Sequence, residues 1–409
     1  MNAYPILVAL RRHKAAVLLI VLQIALTLAI IANAFFIIGH RIEDMIRPTG
    51  LEEHGLIWIL QKWPPQSGGD AALIEKLDAL QLTDLETIRN LPDVQDVAAT
   101  ASVPLVQGDD AGDISLNADR KGKFVRAAYY YGDEQLRATF GLHLIAGRDF
   151  YASEIRHGHG LPGSPVVIVS KPVSDQLFPD GNALGQTVYQ DGKPAKIVGI
   201  VERLETPTGK GNWAFNSVIE PLREDTFWTS YVARARAGRT TEAIREIHKA
   251  LFAVNPMRHM PEPWAGIHSY SEMRDRNFSS ERGFALLMGV ICLILLSVTA
   301  GSIVGLTSFW VGQRTRQIGV RRALGARKID ILRYFQIENL LITGGGAVVG
   351  ALFAFGLNEW LMRHYEMMHL PLFYVALGVL AMLVLGQAAV LVPARRASNV
   401  PPVVATRSV

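Results

Sequence analysis

The sequence predicts an α-helical membrane protein with four transmembrane helices in a 1+3 arrangement and a large α/β domain between the first two. Three observations lead there. Residues 15–38, 284–311, 340–362 and 372–392 are long apolar runs, each near the roughly 20 residues an α-helix needs to cross a hydrocarbon core of about 30 Å. The polar stretch 39–283 is long enough for an independent folded domain. Arginine and lysine gather near the run ends.

Composition agrees. Of 409 residues, 49% are hydrophobic and 19% charged, against about 25% charged in soluble domains. The 41 Lys and Arg exceed the 37 Asp and Glu by only four. No zinc-finger spacing, RNP-like aromatic motif or basic helix outside the membrane accompanies them, so the charge points away from nucleic acid. Cys292 is the single cysteine and lies in the second run. It excludes an internal disulfide and reads as a small hydrophobe.

Orientation follows from the cations. Arg11, Arg12 and Lys14 precede the first span. Arg314, Arg316, Arg321, Arg322, Arg327, Lys328 and Arg333 fall between the second and third, opposed only by Asp330. Arg395, Arg396 and Arg407 follow the fourth, whereas the connection 363–371 holds one Arg and one Glu, Arg363 and Glu366. The positive-inside rule places segment 1–14, loop 312–339 and tail 393–409 in the cytoplasm, with 39–283 and 363–371 outside. Ala32-Asn33-Ala34 resembles a signal-peptidase site, but the apolar run continues to Ile38 with no polar segment, so an uncleaved anchor helix is expected.

The spans carry packing signals. Ser297, Gly301 and Gly305 recur at i, i+4, i+8 on the second span, and Gly346 and Gly350 form a GxxxG on the third. Such faces let helix backbones approach closely; packing within the chain is the favoured expectation, a seam with a second copy the sharper one. Gln23, Thr27 and Asn33 are expected to face other helices. Glu338 and Glu359, near opposite ends of the third span, are expected to snorkel to the interface. No charge relay occupies the middle of any span, which disfavours a proton-driven transporter or an ion channel.

The polar stretch reads as mixed α/β. Strands are expected at 166–169 and 196–201, with 56–60 and 217–219 weaker, and helices at 71–80, 84–90, 171–177 and 240–252. Thr83 with Glu86 resembles a capping box opening the second of those helices, and Pro92 ends it. Asp180-Gly181 and Asp191-Gly192 supply turns; Pro162-Gly163 and 209–211 read as exposed loops. Segments 39–47 and 270–283 are candidates for a helical stalk.

Catalytic constellations are missing from the sequence: it has no G-x-S-x-G, H-E-x-x-H or C-x-x-C. His157-Gly158-His159 is expected in a solvated turn rather than a metal site. Asp109, Asp110 and Asp113 do not satisfy an EF-hand loop. No G-x-x-x-x-G-K-[ST] occurs, so an ATPase is expected on a separate polypeptide. In the basic loop, Val320, Ala323 and Leu324 fall at i, i+3, i+4 of a predicted short helix stopped by Gly325. Spacing alone leaves docking into a partner's groove and lying on anionic membrane lipids equally open.

Gln313-Arg314-Thr315-Arg316-Gln317-Ile318-Gly319-Val320-Arg321-Arg322-Ala323-Leu324-Gly325-Ala326 resembles the cytoplasmic signature of MacB/FtsX-type permeases of type VII ABC transporters, close to R-T-R-E-I-G-I-R-R-A-L-G-A. Ile331-Leu332-Arg333-Tyr334-Phe335 is similar to the I-L-x-x-F that follows it, and Pro393-Ala394-Arg395-Arg396-Ala397 to P-A-R-R-A after the last span. In the outer domain, Leu177-Phe178-Pro179, then Asn182-Ala183-Leu184-Gly185-Gln186-Thr187, resembles the L-F-P…N-P-L-G-Q-T segment of MacB-type periplasmic domains. Gly147-Arg148-Asp149-Phe150 and Ile197-Val198-Gly199-Ile200-Val201 resemble further parts of it. Gln317 stands where the family usually has Glu, and the tail 404–407 departs from an E-A-L-R-like ending.

The resemblance implies a periplasmic domain made of a porter-like module with a second module inserted into it, on a bacterial inner-membrane protein. It implies an ABC ATPase dimer as partner, binding ATP and Mg that this chain does not bind, and a second permease copy, identical or related. Arg314, Arg316, Ile318, Val320, Arg321, Arg322, Ala323, Leu324 and Gly325 are then the ATPase-coupling residues. The implied mechanism is mechanotransmission, with spans one and two carrying the ATPase's motion to the outer domain. Export of peptides, lipopeptides or amphipathic drugs with a periplasmic adaptor and outer-membrane channel is the expected function. Lipoprotein extraction and FtsX-like signalling to a cell-wall hydrolase are the alternatives.

Overall fold

The structure is a computed structural model and describes residues 14–63, 70–106, 110–158, 163–209, 211–260, 265–365 and 369–400. Arg11, Arg12, Asp109, His159, Pro162, Lys210, Glu366 and the tail 404–407, all used in the expectations above, lie outside them. The chain begins with α1 (Lys14–Ile46), β1 (Leu56–Lys62), α2 (Asp70–Arg89), β2 (Val94–Ala99), β3 (Ala111–Ser115), β4 (Phe124–Gly132) and α3 (Leu136–Phe140). It continues through β5 (Leu144–Gly147), β6 (Arg156–Gly158), β7 (Val166–Ser170), α4 (Lys171–Leu177), β8 (Thr187–Gln190), β9 (Lys193–Val201) and β10 (Ser217–Glu224). Then come β11 (Trp228–Ala235), α5 (Thr240–Val254), β12 (Gly266–Ser269), α6 (Tyr270–Gln313), α7 (Thr315–Ala323), α8 (Lys328–Tyr365) and α9 (Leu372–Ser398). These residues form two compact units, Ile46–Ser280 and the remainder on either side of it.

In the membrane unit, α1, α6, α8 and α9 are long and apolar enough to cross a bilayer. α1 and α6 run past their apolar stretches through 39–46 and 270–283, so the stalk candidates are helical. The third span rides on the first. A Cβ on Gly346 would fall 2.7 Å from Ile24 Cγ2, and one on Gly350 2.9 Å from Ala25 Cα. Only glycine permits that approach, in which dispersion contacts replace the hydrophobic drive that lipid does not supply. Thr27 Oγ1 lies 3.0 Å from Thr299 Oγ1 on α6, and Asn33 Nδ2 donates to the carbonyls of Ala29 and of Ala354 on α8. Both residues face neighbouring helices as expected; Gln23 is half-buried.

The second span differs from expectation. Gly301 and Gly305 have open space where a Cβ would stand, and Ser297 is exposed, its hydroxyl spent on the Leu293 carbonyl. Packing within the chain accounts for Gly346 and Gly350 of α8 but not for this face of α6.

In Ile46–Ser280 the strands from the two ends of the unit make one antiparallel sheet in the order β12-β1-β11-β2. α2 and α5 cover one face of it, over a core that includes Ile57, Ile59, Leu85, Ile88, Tyr231 and Ile247. Everything from β3 to β10 is inserted between β2 and β11 and builds a second sheet, β4-β3-β8-β9-β7-β10-β6. A parallel β10–β4 pairing closes most of it into a ring around Ile114, Val125, Val167, Val188 and Ile197. This is the porter-like module with an inserted module. Asp191 and Gly192, at φ 47° and 81°, form the tight β8–β9 turn, a geometry that suits Asp-Gly.

The helix break expected at Thr83 does not occur. Asp70–Arg89 is one helix, and the Thr83 hydroxyl bonds back to the Ala79 carbonyl instead of capping a start. Leu77, Gln81, Asp84, Leu85 and Ile88 are buried along one stripe that runs straight past Thr83. Continuous packing on the sheet outweighs a local cap preference of about 1 kcal/mol.

Candidate functional site

The basic loop folds into α7, bounded by two local devices. At its C-terminal end Gly325 sits at φ +96°, its N–H bonded to the Arg322 carbonyl, while the Ala326 N–H bonds to the Arg321 carbonyl. This is a Schellman stop, which satisfies the Arg321 and Arg322 carbonyls and favours glycine at the left-handed position. After it, Asp330 Oδ2 accepts the Arg327 N–H at 3.0 Å and so caps the start of α8.

Between these ends the helix divides into two faces. Ile318 and Gly319 are buried against the membrane unit, Ile318 in a cluster with Trp310, Ile331 and Phe335. Val320 is 44% exposed and Leu324 83%, with Ala323 and Arg321 also exposed. The apolar stripe read at i, i+3, i+4 therefore points away from the chain. Arg321 lies over the Tyr334 ring at 5.3 Å, and Arg322 is half-buried, with Nη1 3.3 Å from the Ala326 carbonyl. Arg316 is exposed.

Arg314 is placed differently from the other cations. It sits at the N-terminal boundary of α7, half-buried, with Nη1 3.0 and 3.1 Å from the two carboxylate oxygens of Glu338 and within 3.4 Å of the Tyr334 hydroxyl. Glu338 is only 2% exposed. The snorkelling expected of it is thus wrong, because a guanidinium inside the bundle meets its charge. Glu359 does lie at the surface, paired with Arg363 one turn on. Of the nine residues read as a coupling set, the structure puts Arg316, Val320, Arg321, Ala323, Leu324 and Gly325 on the surface and turns Arg314 and Ile318 inward. Nothing in the local sequence of Glu338 or Tyr334 signals Arg314, at the α6–α7 junction, as their partner.

The outer domain holds a second polar cluster. His157, expected in a solvated turn, is half-buried, with Nδ1 3.1 Å from Asp225 Oδ2. Asp78, His157 and Asp225 bring ligand-type atoms within 4.8 Å of one another. Arg223 already binds Asp78 at 2.6 Å, and Gln81 reaches Asp225 Oδ1. A guanidinium therefore stands where a cation would be held. Burial raises the Asp225 carboxyl, and the hydrogen bond from His157 opposes it.

Comparison with known proteins places both units. Residues 17–251 match the family model of the MacB-like periplasmic core domain, and residues 289–402 that of the FtsX-like permease C-terminal domain. An uncharacterized ABC transporter permease of Bacillus subtilis, YvrN, is 27% identical over 68% of this chain and 69% of its own length. The macrolide export ATP-binding/permease protein MacB of Neisseria gonorrhoeae is 28% identical over 55% of this chain, and the matched part spans only 34% of that protein. The crystal structure of the periplasmic region of MacB from Actinobacillus actinomycetemcomitans aligns with 57% of this chain and 96% of its own, at 13% identity and a TM-score of 0.36.

Proposed function

The chain belongs to the MacB/FtsX-type permeases of ABC transporters, and from that premise we propose that it transmits ATP hydrolysis on a partner ATPase dimer to conformational change in its outer domain. The observation that carries the reading is the exposed Val320–Ala323–Leu324 stripe on a short helix that connects two spans. Val320, Ala323 and Leu324 make one contiguous exposed apolar stripe beside Arg316 and Arg321, which a groove on a subunit with acidic rims would cover. Each terminus and the basic loop lie on the cytoplasmic side of the inner membrane in this reading, where the ATPase binds ATP and Mg.

The cargo is handled on the outer side rather than passed through the bilayer. The chain's role in this reading is export of peptides, lipopeptides or amphipathic drugs with a second permease copy, a periplasmic adaptor and an outer-membrane channel, a reading that the MacB-like outer domain supports. The test is ATPase stimulation in proteoliposomes holding this chain and its ATPase. Leu324→Asp, and separately Arg321→Glu with Arg322→Glu, are expected to reduce stimulation at least about tenfold, a loss of about 1.4 kcal/mol or more of coupling, with membrane insertion unchanged. Stimulation at the wild-type level in both variants would overturn the docking role.

A further inference from the structure

The four-stranded sheet of the outer domain ends on β12, which pairs with β1 and, among the described residues, has no strand on its other side. A cleft of about 540 Å³ runs along that open edge, beneath α5. Gly266, Ile267 and His268 all line it. Consecutive strand residues point to opposite faces, so a cleft touching all three lies at the strand's edge and not on one face of the sheet. There the backbone N–H and C=O groups of alternate residues in this four-residue strand point away from β1.

The walls combine hydrogen-bond-donating basic side chains, one of them the arginine Arg245, with apolar ones. α5 supplies Arg245 and His248, and the segment before β12 supplies His259; all three are exposed. Ile244, Phe252 and Ile267, each half-buried, form the apolar part, with Phe252 stacked on His248 at 4.5 Å between ring centroids. No described lining residue is acidic. In a chain with 37 Asp and Glu, that one-sided composition selects for negative charge. In the floor, His268 is 9% exposed, and its buried Nε2 has no hydrogen-bond partner.

We propose that this edge receives an acidic, extended segment of another polypeptide, which adds to β12 as a further strand beneath α5. Alternate side chains of such a segment face the apolar patch on the α5 side, while its carboxylates meet Arg245, His248 and His259. A small anion would satisfy Arg245 and the imidazole donors but leave the outward backbone groups of β12 as they are; only a polypeptide backbone matches both. This site lies wholly within the outer domain and is separate from the coupling function.

The experiment uses the full chain in nanodiscs of neutral lipid and a fluorescein-labelled octapeptide alternating Glu and Val, read by anisotropy. The acidic peptide is expected to bind at least about tenfold more tightly than its Lys/Val counterpart and than an N-methylated acidic peptide that cannot pair as a strand. Arg245→Glu is expected to remove the preference, and Arg245→Lys to keep it. Dodecyl phosphate is expected to compete weakly. Equal binding of the N-methylated peptide, equal binding to the R245E variant, or dodecyl phosphate outcompeting the peptide would each overturn strand addition.

Discussion

Arg314 and Glu338 form an ion pair inside the membrane unit, with the guanidinium within 3.1 Å of both carboxylate oxygens and the carboxylate almost wholly buried. The pair joins the end of α6 to α8 at the point where the chain turns into α7. A displacement of α7 therefore acts on two spans at once. Removing one partner leaves a buried charge without compensation, which costs about 3–5 kcal/mol. Arg314→Leu is accordingly expected to lower the thermal unfolding midpoint of the detergent-solubilised chain more than the double variant Arg314→Leu/Glu338→Leu. A double variant as damaged as the sum of the two single ones would show that the groups do not interact.

The two small-residue faces separate in a second experiment. Gly346→Leu forces a side chain into Ile24 and the α1 backbone, and overpacking of this kind costs about 1–3 kcal/mol. Gly301→Leu meets open space within the chain and is expected to stay within about 0.5 kcal/mol of wild type. Resistance to SDS unfolding measures both. If a second permease copy seats on α6, Gly301→Leu instead shifts the assembly toward monomer in light scattering, with the single chain's stability intact.

How far the fold was legible depends on the range of the signal. The four spans were legible because each consists of an apolar run of membrane length. α7 was legible because its stripe and its stop lie within the few residues from Val320 to Gly325. β11 was missed because seven of its eight residues are buried, so neither face alternates with solvent and no period of two is left to read. Glu338 was misread because its partner lies 24 residues away on another helix, and sequence does not state the rotation of α6 against α8. The His157–Asp225 contact spans 68 residues and an inserted module; no local pattern encodes it.

Asp133 makes the outer domain's stability fall as pH rises. Burial lifts its carboxyl from 3.8 to about 6, against the pull of the Ala99 and Gln135 N–H groups, which favour the charged form. Below the unfolded value the group is protonated in both states and costs nothing. As pH climbs toward the folded value, the unfolded chain loses its proton first, and a penalty of about 3 kcal/mol is complete above pH 6. Asp133→Asn cannot ionise. Urea titrations at pH 4 and pH 7 are expected to show the variant gaining on wild type by roughly that amount; a constant difference would remove Asp133 as the cause.

In the outer domain the Arg258 side chain is fully buried with Asp84. Nη2 lies 2.9 Å from Asp84 Oδ1 and Nη1 3.0 Å from Oδ2, a two-pronged contact that a lysine cannot reproduce. Nη1 also bonds Gln61 Oε1, and the Tyr231 hydroxyl donates to Asp84 Oδ2 at 3.1 Å. The network ties α2 to β1, β11 and the segment after α5, so every member has its partners within the core. Arg258→Ala strands Asp84 and is expected to cost about 3–5 kcal/mol, and Arg258→Lys to recover less than half of that. Tyr231→Phe removes one neutral donor and is expected to cost about 1–1.5 kcal/mol. Chemical denaturation followed by tryptophan fluorescence reports the order, since Trp63 lies 5.2 Å from the Arg258 guanidinium; a Tyr231→Phe loss equal to that of Arg258→Ala would contradict a network centred on the charge.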